Sequence, residues 1–402
     1  MNRHYLREIA DIQTGPFGSQ LHKEDYVDVG TPIVTVEHLG NRVFTEQNLP
    51  KVSDVDKVRL SKYILEEGDM VFSRVGSVDR CSYVDATHEG WIFSGRCLRV
   101  RPNHEIDPLY LYYYFCLEEI KQFVRNIAVG ATMPSINTKL LGEVEVKYPS
   151  VIEQQKIVAL LSALDDRIET NQMINDNLQQ QAQTIYKSLF LAYDSTPTSK
   201  FYASELGQIP VGWTVKSLSE VTTSIRTKVK DNNYKVFSAI NTGQLQLSEE
   251  YFTKQVFSKN ICNYIVVEPF DFAYNPARVN IGSIGMNDFG YTGCVSPIYV
   301  VVRPEPEYQY FLDFFIKTKP FCEEVKARAS GSVRQSLSYT DFGQIKVVYP
   351  PIEVIRQFNR EYEVRLRAMK QLKDESKKLA LIRDALLPKL MSDEIDVSAI
   401  QL

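Results

Sequence analysis

The strongest constraint on this chain is an ordered series of identities between its first and second halves. Gly130, Ser135, Gly142, Tyr148 and Pro149 recur 201 residues later as Gly331, Ser336, Gly343, Tyr349 and Pro350. Upstream, Tyr63, Ile64 and Glu67 return at the same offset as Tyr264, Ile265 and Glu268. Asp69, Arg101 and Pro102 return one residue later still, as Asp271, Arg303 and Pro304. Chance gives a few such matches, whereas a series in order at a nearly constant offset marks duplication. At 402 residues the chain has room for two or three domains of ordinary size, so a tandem of two similar units is expected.

Each unit carries the same order of signals. Pro32 to Val36, Met70 to Arg74 and Trp91 to Val100 are rich in branched and aromatic residues and bounded by Gly, Asp and Pro, which predicts short strands. Pro108 to Ile127 places Leu109, Tyr112, Tyr113, Cys116, Ile120 and Phe123 at helical spacing and predicts one helix. The Tyr110 to Tyr114 run reads as core and helix surface, since each ring buries a large area. A glycine-bearing loop, a strand from Val144 to Tyr148 and a proline complete the unit. The second unit repeats this with a helix over Tyr308 to Ala327, a loop over Gly331 to Gln335 and a strand over Ile345 to Tyr349. Both units are expected to be α+β.

A different character follows each Tyr-Pro. From Glu153 to Phe190 there is neither Pro nor Gly, and Ile157, Leu161, Leu164, Ile168, Asn171, Asn175, Leu178, Ala182, Ile185 and Leu189 alternate spacings of four and three. That period is a coiled-coil seam, in which polar Asn171 and Asn175 fix register at some cost in stability. The copy, Glu353 to Met391, carries Ile355, Phe358, Tyr362, Met369, Leu372, Leu379, Leu386 and Leu390, interrupted by Arg365 and Arg383. A plain dimerisation coiled coil is one reading. Their identical place after each half of a duplication favours the other, in which the two helices pair antiparallel with each other. A helix of about 37 residues is a rod of roughly 55 Å, the rise of about 16 base pairs of B-DNA.

Composition narrows the function classes. Hydrophobic residues make up 44% and charged ones 24%, the balance of a soluble globular protein. A net charge of −4 argues against a simple nucleic-acid coat, whose affinity comes from neutralising phosphates. Residues 1–150 hold 17 basic and 21 acidic groups, residues 200–350 hold 16 and 14, and residues 351–391 hold 10 and 6. Any DNA reading must therefore be local, and tight binding needs partner proteins that bring more positive surface. Cys81, Cys97, Cys116, Cys262, Cys294 and Cys322 form no C-x-x-C pair, so neither a zinc ribbon nor a redox motif is supported, and cytosolic thiols are expected. The first residues lack the apolar run of a signal peptide, and no apolar stretch approaches the roughly 20 residues of a membrane span. The expected location is the cytoplasm.

Catalytic signatures are sparse. His4, His22, His38, His88 and His104 are dispersed and suggest no metal pair, and there is no Walker A sequence or glycine-rich turn after a strand for a nucleotide or S-adenosylmethionine. Asn275-Pro276 after Tyr274 resembles the start of the Asn-Pro-Pro-aromatic motif of amino-methyltransferases, but Ala277 and Arg278 stand where the second proline and the aromatic belong. Asp165 and Asp166 are adjacent on a helix, face different directions and read as solvated charges.

Three strings complete the picture: Leu206 to Leu218 (LGQIPVGWTVKSL), Gly331 to Leu337 (GSVRQSL) leading to Tyr349-Pro350-Pro351, and Leu386 to Ser392 (LLPKLMS). Together with the repeat and the two helices they resemble the specificity (S) subunit of type I restriction-modification systems over essentially the whole chain. The resemblance implies target-recognition domain 1 at residues 1–150, a first spacer helix at 151–191, target-recognition domain 2 at 200–350 and a second spacer helix at 351–391. The implied fold is two similar α/β target-recognition domains separated by an antiparallel pair of long coiled-coil helices. Each domain would read half of a bipartite site in double-stranded DNA. The implied partners are two methyltransferase (M) subunits and two restriction/motor (R) subunits, with no membrane. No catalysis and no cofactor belong to this chain; S-adenosylmethionine is expected in the methyltransferase subunit, and ATP and Mg in the motor subunit. The departure is the Gln-rich stretch Gln179 to Gln183 in the first helix. The alternatives are a DNA adenine methyltransferase-like enzyme and a coiled-coil scaffold without DNA specificity.

Phosphate contacts position a protein on DNA and base-edge contacts specify sequence, so polar and basic residues on glycine-bearing loops are the candidates. In the first unit these are Thr14, Phe17, Ser19 and Gln20; Arg74, Ser77, Arg80 and Arg96, with guanidinium groups suited to guanine edges or phosphates; and Thr132, Ser135 and Asn137, ahead of a helical turn whose amides could hold a phosphate. In the second they are Arg226 and Lys228, with Lys230 nearby; Tyr274, Asn275, Arg278, Asn280 and Ser283; and Ser332, Arg334 and Gln335. Helix pairing is assigned to Ile157, Leu161, Leu164, Ile168, Leu178 and Ile185 on the first helix and to Phe358, Tyr362, Met369, Leu372, Leu379 and Leu386 on the second.

Overall fold

The structure, a computed structural model, describes residues 1–16, 18–194, 200–252, 256–329 and 336–398. Two compact units emerge: unit 1, Met1–Gln172 with Lys373–Leu402, and unit 2, Met173–Leu372.

In unit 1, strand β1 (Asn2–Tyr5) is followed by β2 (Ala10–Thr14), β3 (Met70–Ser73), β4 (Cys81–Tyr83) and β5 (Cys97–Pro102). The last four form an antiparallel sheet in the order β2-β5-β3-β4. Met70, Val71 and Phe72 of β3 are each 0% exposed, which explains why this strand reads as a continuous apolar run. Tyr26–Val27, Lys51–Val52, Thr31–Val34 and Ile92–Phe93 form a second sheet, in that order. The single strand expected over Trp91 to Val100 is thus two, one in each sheet. The chain turns at Ser94, where Gly15 lies so close that an added Cβ would meet the Ser94 carbonyl oxygen at 2.2 Å.

Helices α1 (Pro108–Cys116) and α2 (Glu118–Ile127) replace the one helix expected there. Asp107 caps α1 by accepting from the amides of Leu109 and Tyr110, with Pro108 in the first turn. Leu117 is extended (φ −60°, ψ 131°) and breaks the run, and Glu118 and Glu119 favour a fresh helix start. Tyr110 to Phe115 are all buried. Strand β6 (Glu145–Tyr148) pairs antiparallel with β1 and leads into α3 (Val151–Phe190).

Unit 2 repeats the plan. Its strands include β7 (Thr214–Ser217), β8 (Thr222–Ile225), β9 (Phe237–Ile240), β10 (Gln244–Leu247), β11 (Phe272–Tyr274), β12 (Ile284–Met286) and β13 (Val300–Pro304), followed by α4 (Gln309–Phe315), α5 (Lys319–Arg328), β14 (Lys346–Tyr349) and α6 (Ile352–Met391). The main sheet is β8-β13-β11-β12, again antiparallel, and β7 pairs with β14 as β1 does with β6. Here too the expected helix is two; Thr318 caps α5 by accepting from the Phe321 amide, with Pro320 in its first turn. The repeated Asp-Arg identities also find their reason. Asp69 and Asp271 are each 1% exposed in their side chains, accept from the amides of Glu66 and Glu268, and hold Arg101 and Arg303 at 2.7 and 2.6 Å. A buried carboxylate is tolerable only with such partners.

The helices α3 and α6 each run 40 residues. They pair antiparallel, as expected. Within unit 1, Lys156 meets Ser398, Asp165 meets Arg383 and Asn171 meets Ser376; within unit 2, Gln181 meets Arg365 and Tyr186 packs near Phe358. Ile157 and Leu161 lie in the unit 1 core with Leu386 against it, and Phe358 and Tyr362 lie in the unit 2 core with Ile185 and Met369 against it. Leu164, Ile168, Leu178, Leu372 and Leu379 are half-buried. Asn171 is 0% exposed and donates to the Ser376 hydroxyl at 3.3 Å. Among the described residues, no helix is long and apolar enough to cross a membrane.

Candidate nucleic-acid interface

Antiparallel pairing brings four loop mouths to one end of the main sheet in unit 1. Thr14 ends β2 opposite Leu98, Ser73 ends β3 opposite Cys97, and Phe72 lies opposite Cys81. Arg74, Arg80 and Arg96 therefore sit beside Thr14 at the same edge. Main-chain bonds tie these loops together. The Arg74 amide donates to the Arg96 carbonyl at 2.8 Å, and the Gly76 amide to Pro134 at 2.8 Å. The Ile136 amide donates to the Arg74 carbonyl at 2.9 Å. Ser77, Thr132 and Asn137 are exposed on these loops. Ser135 bonds the Val129 carbonyl, and Asn137 caps the short helix Thr138–Gly142 through the Leu140 amide. Gln20 stands apart, held by Tyr63 and Arg59.

Unit 2 assembles the same edge. Ile225 ends β8, Tyr274 ends β11 opposite Val300 and Ile284, and Arg226, Asn275 and Ser283 flank them. The Leu337 amide donates to the Pro276 carbonyl at 3.0 Å, which is the Ile136-to-Arg74 bond of unit 1 carried into the repeat. Arg278 is exposed, Asn280 is half-buried, and Lys228 is exposed with its ammonium on Asn263 at 3.1 Å.

Two expected DNA contacts are core residues instead. Tyr274 is 0% exposed, with its ring stacked 5.2 Å from Phe342, and burial pushes its hydroxyl pKa upward. As the last residue of a buried strand it cannot stack on a base without unfolding β11. Ser283 is 4% exposed and donates to the Ala239 carbonyl at 2.6 Å. The Asn275 side-chain oxygen accepts from the Ala277 amide, so it shapes its own turn. Phe17, Ser332, Arg334 and Gln335 lie outside the described residues, as does the side chain of Ser19.

Arg80, Arg96, Arg226 and Arg278 are exposed and form no ion pair among the described residues. In unit 1 two nearby carboxylates are neutralised, Asp79 by Arg125 at 2.6 Å and Asp11 by Arg99 at 2.5 Å. Both edges thus present uncompensated guanidinium groups on a chain whose net charge is −4.

Other chemistry finds little support. Among the described residues no group of His, Cys, Asp and Glu is placed to hold a metal ion. Burial pushes the Cys97 and Cys294 thiols up to about 12, far from a reactive thiolate.

Sequence reasoning missed one cluster. Asp165 is no solvated charge: it is 5% exposed and accepts from the Tyr113 hydroxyl at 2.7 Å and the Arg383 guanidinium at 2.6 Å. Asp166 accepts from Arg42 at 2.5 Å. The available signal was Arg383, which interrupts the apolar seam at the height where an antiparallel partner places Asp165.

Residues 4–180 match the family described as the type I restriction modification DNA specificity domain. The chain is similar to the type I restriction enzyme MjaIX specificity subunit of Methanocaldococcus jannaschii, at 24% identity over 98% of this chain and 93% of that one. It is also similar to the HindI specificity subunit of Haemophilus influenzae, at 23% identity over 83% and 88%. The fold resembles the crystal structure of the type I restriction-modification S subunit from M. genitalium, with a TM-score of 0.58 at 17% identity over 97% and 95% of the two chains.

Proposed function

We propose that each unit of this chain, whose residues 4–180 match the family of type I restriction modification DNA specificity domains, reads one half of a bipartite target in double-stranded DNA. The observation that carries this reading is the duplicated edge: the same end of the same sheet, tied by the same main-chain bond, with exposed unpaired arginines in both units. Guanidinium groups suit guanine edges in the major groove and phosphates alike. The chain supplies recognition, and chemistry falls to its partners. Two methyltransferase subunits would bring S-adenosylmethionine, two motor-nuclease subunits would bring ATP and Mg, and the assembly would work in the cytoplasm. Helices α3 and α6, at 40 residues about 60 Å long, are the elements whose length would set the gap between half-sites.

The test is modular. Sequencing of genomic methylation, with and without the gene, defines the target. Exchanging residues 200–350 for those of a relative then rewrites one half only, and lengthening α3 at Gln179 to Gln183 alters the gap. Arg96→Ala and Arg278→Ala each weaken discrimination in one half by about 1–3 kcal/mol. A swap that rewrites both halves refutes the proposal.

A further inference from the structure

One arginine at the unit 1 edge does not stand free of the protein. The Arg80 guanidinium donates to the Leu39 carbonyl and presses against Gly40, where an added Cβ would meet Arg80 Nε at 2.7 Å. Gly40 has φ +118°, a conformation that other residues rarely adopt. From there the chain runs along the edge strand β4. The Gly40 amide donates to the Ser82 hydroxyl at 3.1 Å, that hydroxyl donates to the Asn41 carbonyl at 2.7 Å, and the Tyr83 amide donates to the Arg42 carbonyl at 2.7 Å. Arg42 then leaves the sheet for α3. Its Nε and Nη2 hold both oxygens of Glu169 at 2.9 and 2.6 Å, and Nη2 also reaches Asp166. Its side chain is only 14% exposed.

We propose that residues 39–42 are a strut that seats the reading arginine Arg80 against helix α3, with Arg42 as the positioning residue. This rests on the DNA-reading role proposed above. A guanidinium has five donors, so the bond to Leu39 fixes the plane of the group and leaves donors for a base edge. Pre-positioning of this kind removes the cost of ordering a long side chain on binding. Reading by Arg80 thereby depends on a contact at the far end of β4, where Arg42 grips the helix that follows the domain. In unit 2 the place beside β12 is taken by the β9–β10 turn, with Ala239 held by Ser283. That hairpin carries no charged residue, and Lys370, at the place of Glu169 in the repeat, instead donates to the Asp288 carbonyl just past β12 at 3.1 Å, so the Arg42 ion pair has no copy in unit 2.

The full-length chain with its methyltransferase subunits is assayed for methylation of duplexes carrying single substitutions in either half of the target, with melting temperature as the folding control. Arg42→Ala is expected to reduce discrimination in the first half by a few-fold to about thirtyfold and to leave the second half unchanged. Arg42→Lys, which cannot grip Glu169 with a planar fork, falls between. The exchange Arg42→Glu with Glu169→Arg restores discrimination. Gly40→Ala, which displaces the Arg80 seat and leaves the ion pair alone, copies Arg42→Ala. Unchanged first-half discrimination in Arg42→Ala, or equal loss in both halves, overturns the strut. A parent complex that prefers no DNA overturns the reading beneath it, so the two failures are distinct.

Discussion

The two units descend from one ancestor, yet they grip their stretches of α3 and α6 with a different balance of contacts. Unit 1 uses charge: Tyr113 and Arg383 converge on Asp165, Arg42 spans Asp166 and Glu169, and Arg167 meets Glu375 at 3.0 Å. Unit 2 keeps one such pair, Arg356 with Glu307 at 2.8 Å, and relies chiefly on rings: Tyr186 stacks on Phe314 at 5.1 Å, Phe190 meets Phe358 at 5.2 Å, and Tyr362 meets Tyr310 at 5.0 Å. One substitution summarises the divergence. Tyr113, whose hydroxyl reaches Asp165, corresponds to Phe314, which has no hydroxyl and packs among aromatics. The scaffold tolerates either solution because both fill the same space between a domain and its helices. They differ in what disturbs them: ionic contacts answer to acid and salt, and apolar ones to lost volume.

The largest expected effect tests the aromatic side. Phe358 is 0% exposed, and Phe358→Ala should cost about 3–5 kcal/mol in denaturant unfolding. Hydrogen exchange should rise in 181–190 and 309–315 while 157–168 stays protected. Loss of protection in both regions together would erase the distinction. Next comes the ionic side. Arg383→Ala strands the Asp165 carboxylate and should cost about 1–3 kcal/mol, part of the pair being exposed. Replacing both partners, Asp165→Leu with Arg383→Met, should recover most of that loss. A double variant as unstable as the single one would mean that the pair fastens something other than itself.

Acid gives the smallest effect, and Asp85 and Asp313 answer it with opposite signs. In unit 1, burial works against the Asp85 carboxylate, but hydrogen bonds from Thr87 and His88 hold its pKa below the usual 3.8. Arg167 likewise holds Glu375 below 4.5. Their contribution is present above the ordinary carboxylate pKa and is lost as pH falls through the lowered folded value. In unit 2, burial raises the Asp313 pKa, offset only in part by Lys317. The folded state there binds its proton more readily than the unfolded chain, so Asp313 adds relative stability as pH falls through the raised value, whereas Glu307, held below 4.5 by Arg356, loses its contribution. Hydrogen exchange followed from pH 6 to about pH 3.5 should loosen 85–93 before 309–317. The reverse order would contradict the assignment of charge to unit 1.

Much of the architecture was legible in the chain. The offset identities foretold two like sheets because Asp69 and Asp271 are buried carboxylates that must keep their partners Arg101 and Arg303. The seam spacing foretold the long helices. The break at Leu117 had no Pro or Gly to announce it, whereas Thr318 and Pro320 carried such a signal in the copy, which the single helix expected over Tyr308 to Ala327 passed over. Tyr274 looked like a loop residue because Asn275 and Pro276 follow it, but the strand ends on the tyrosine and buries it. The strut was illegible: Arg42 and Glu169 are 127 residues apart, and a pair so distant leaves no local pattern.

The bonds that lash the edge loops together, Ile136 to Arg74 and Leu337 to Pro276, run from amide to carbonyl and take no notice of which side chain the residue bears. A loop fastened in that manner can trade the groups it displays while keeping its outline. Mutation can therefore retune what such an edge recognises in single steps, with no detour through a misfolded ancestor.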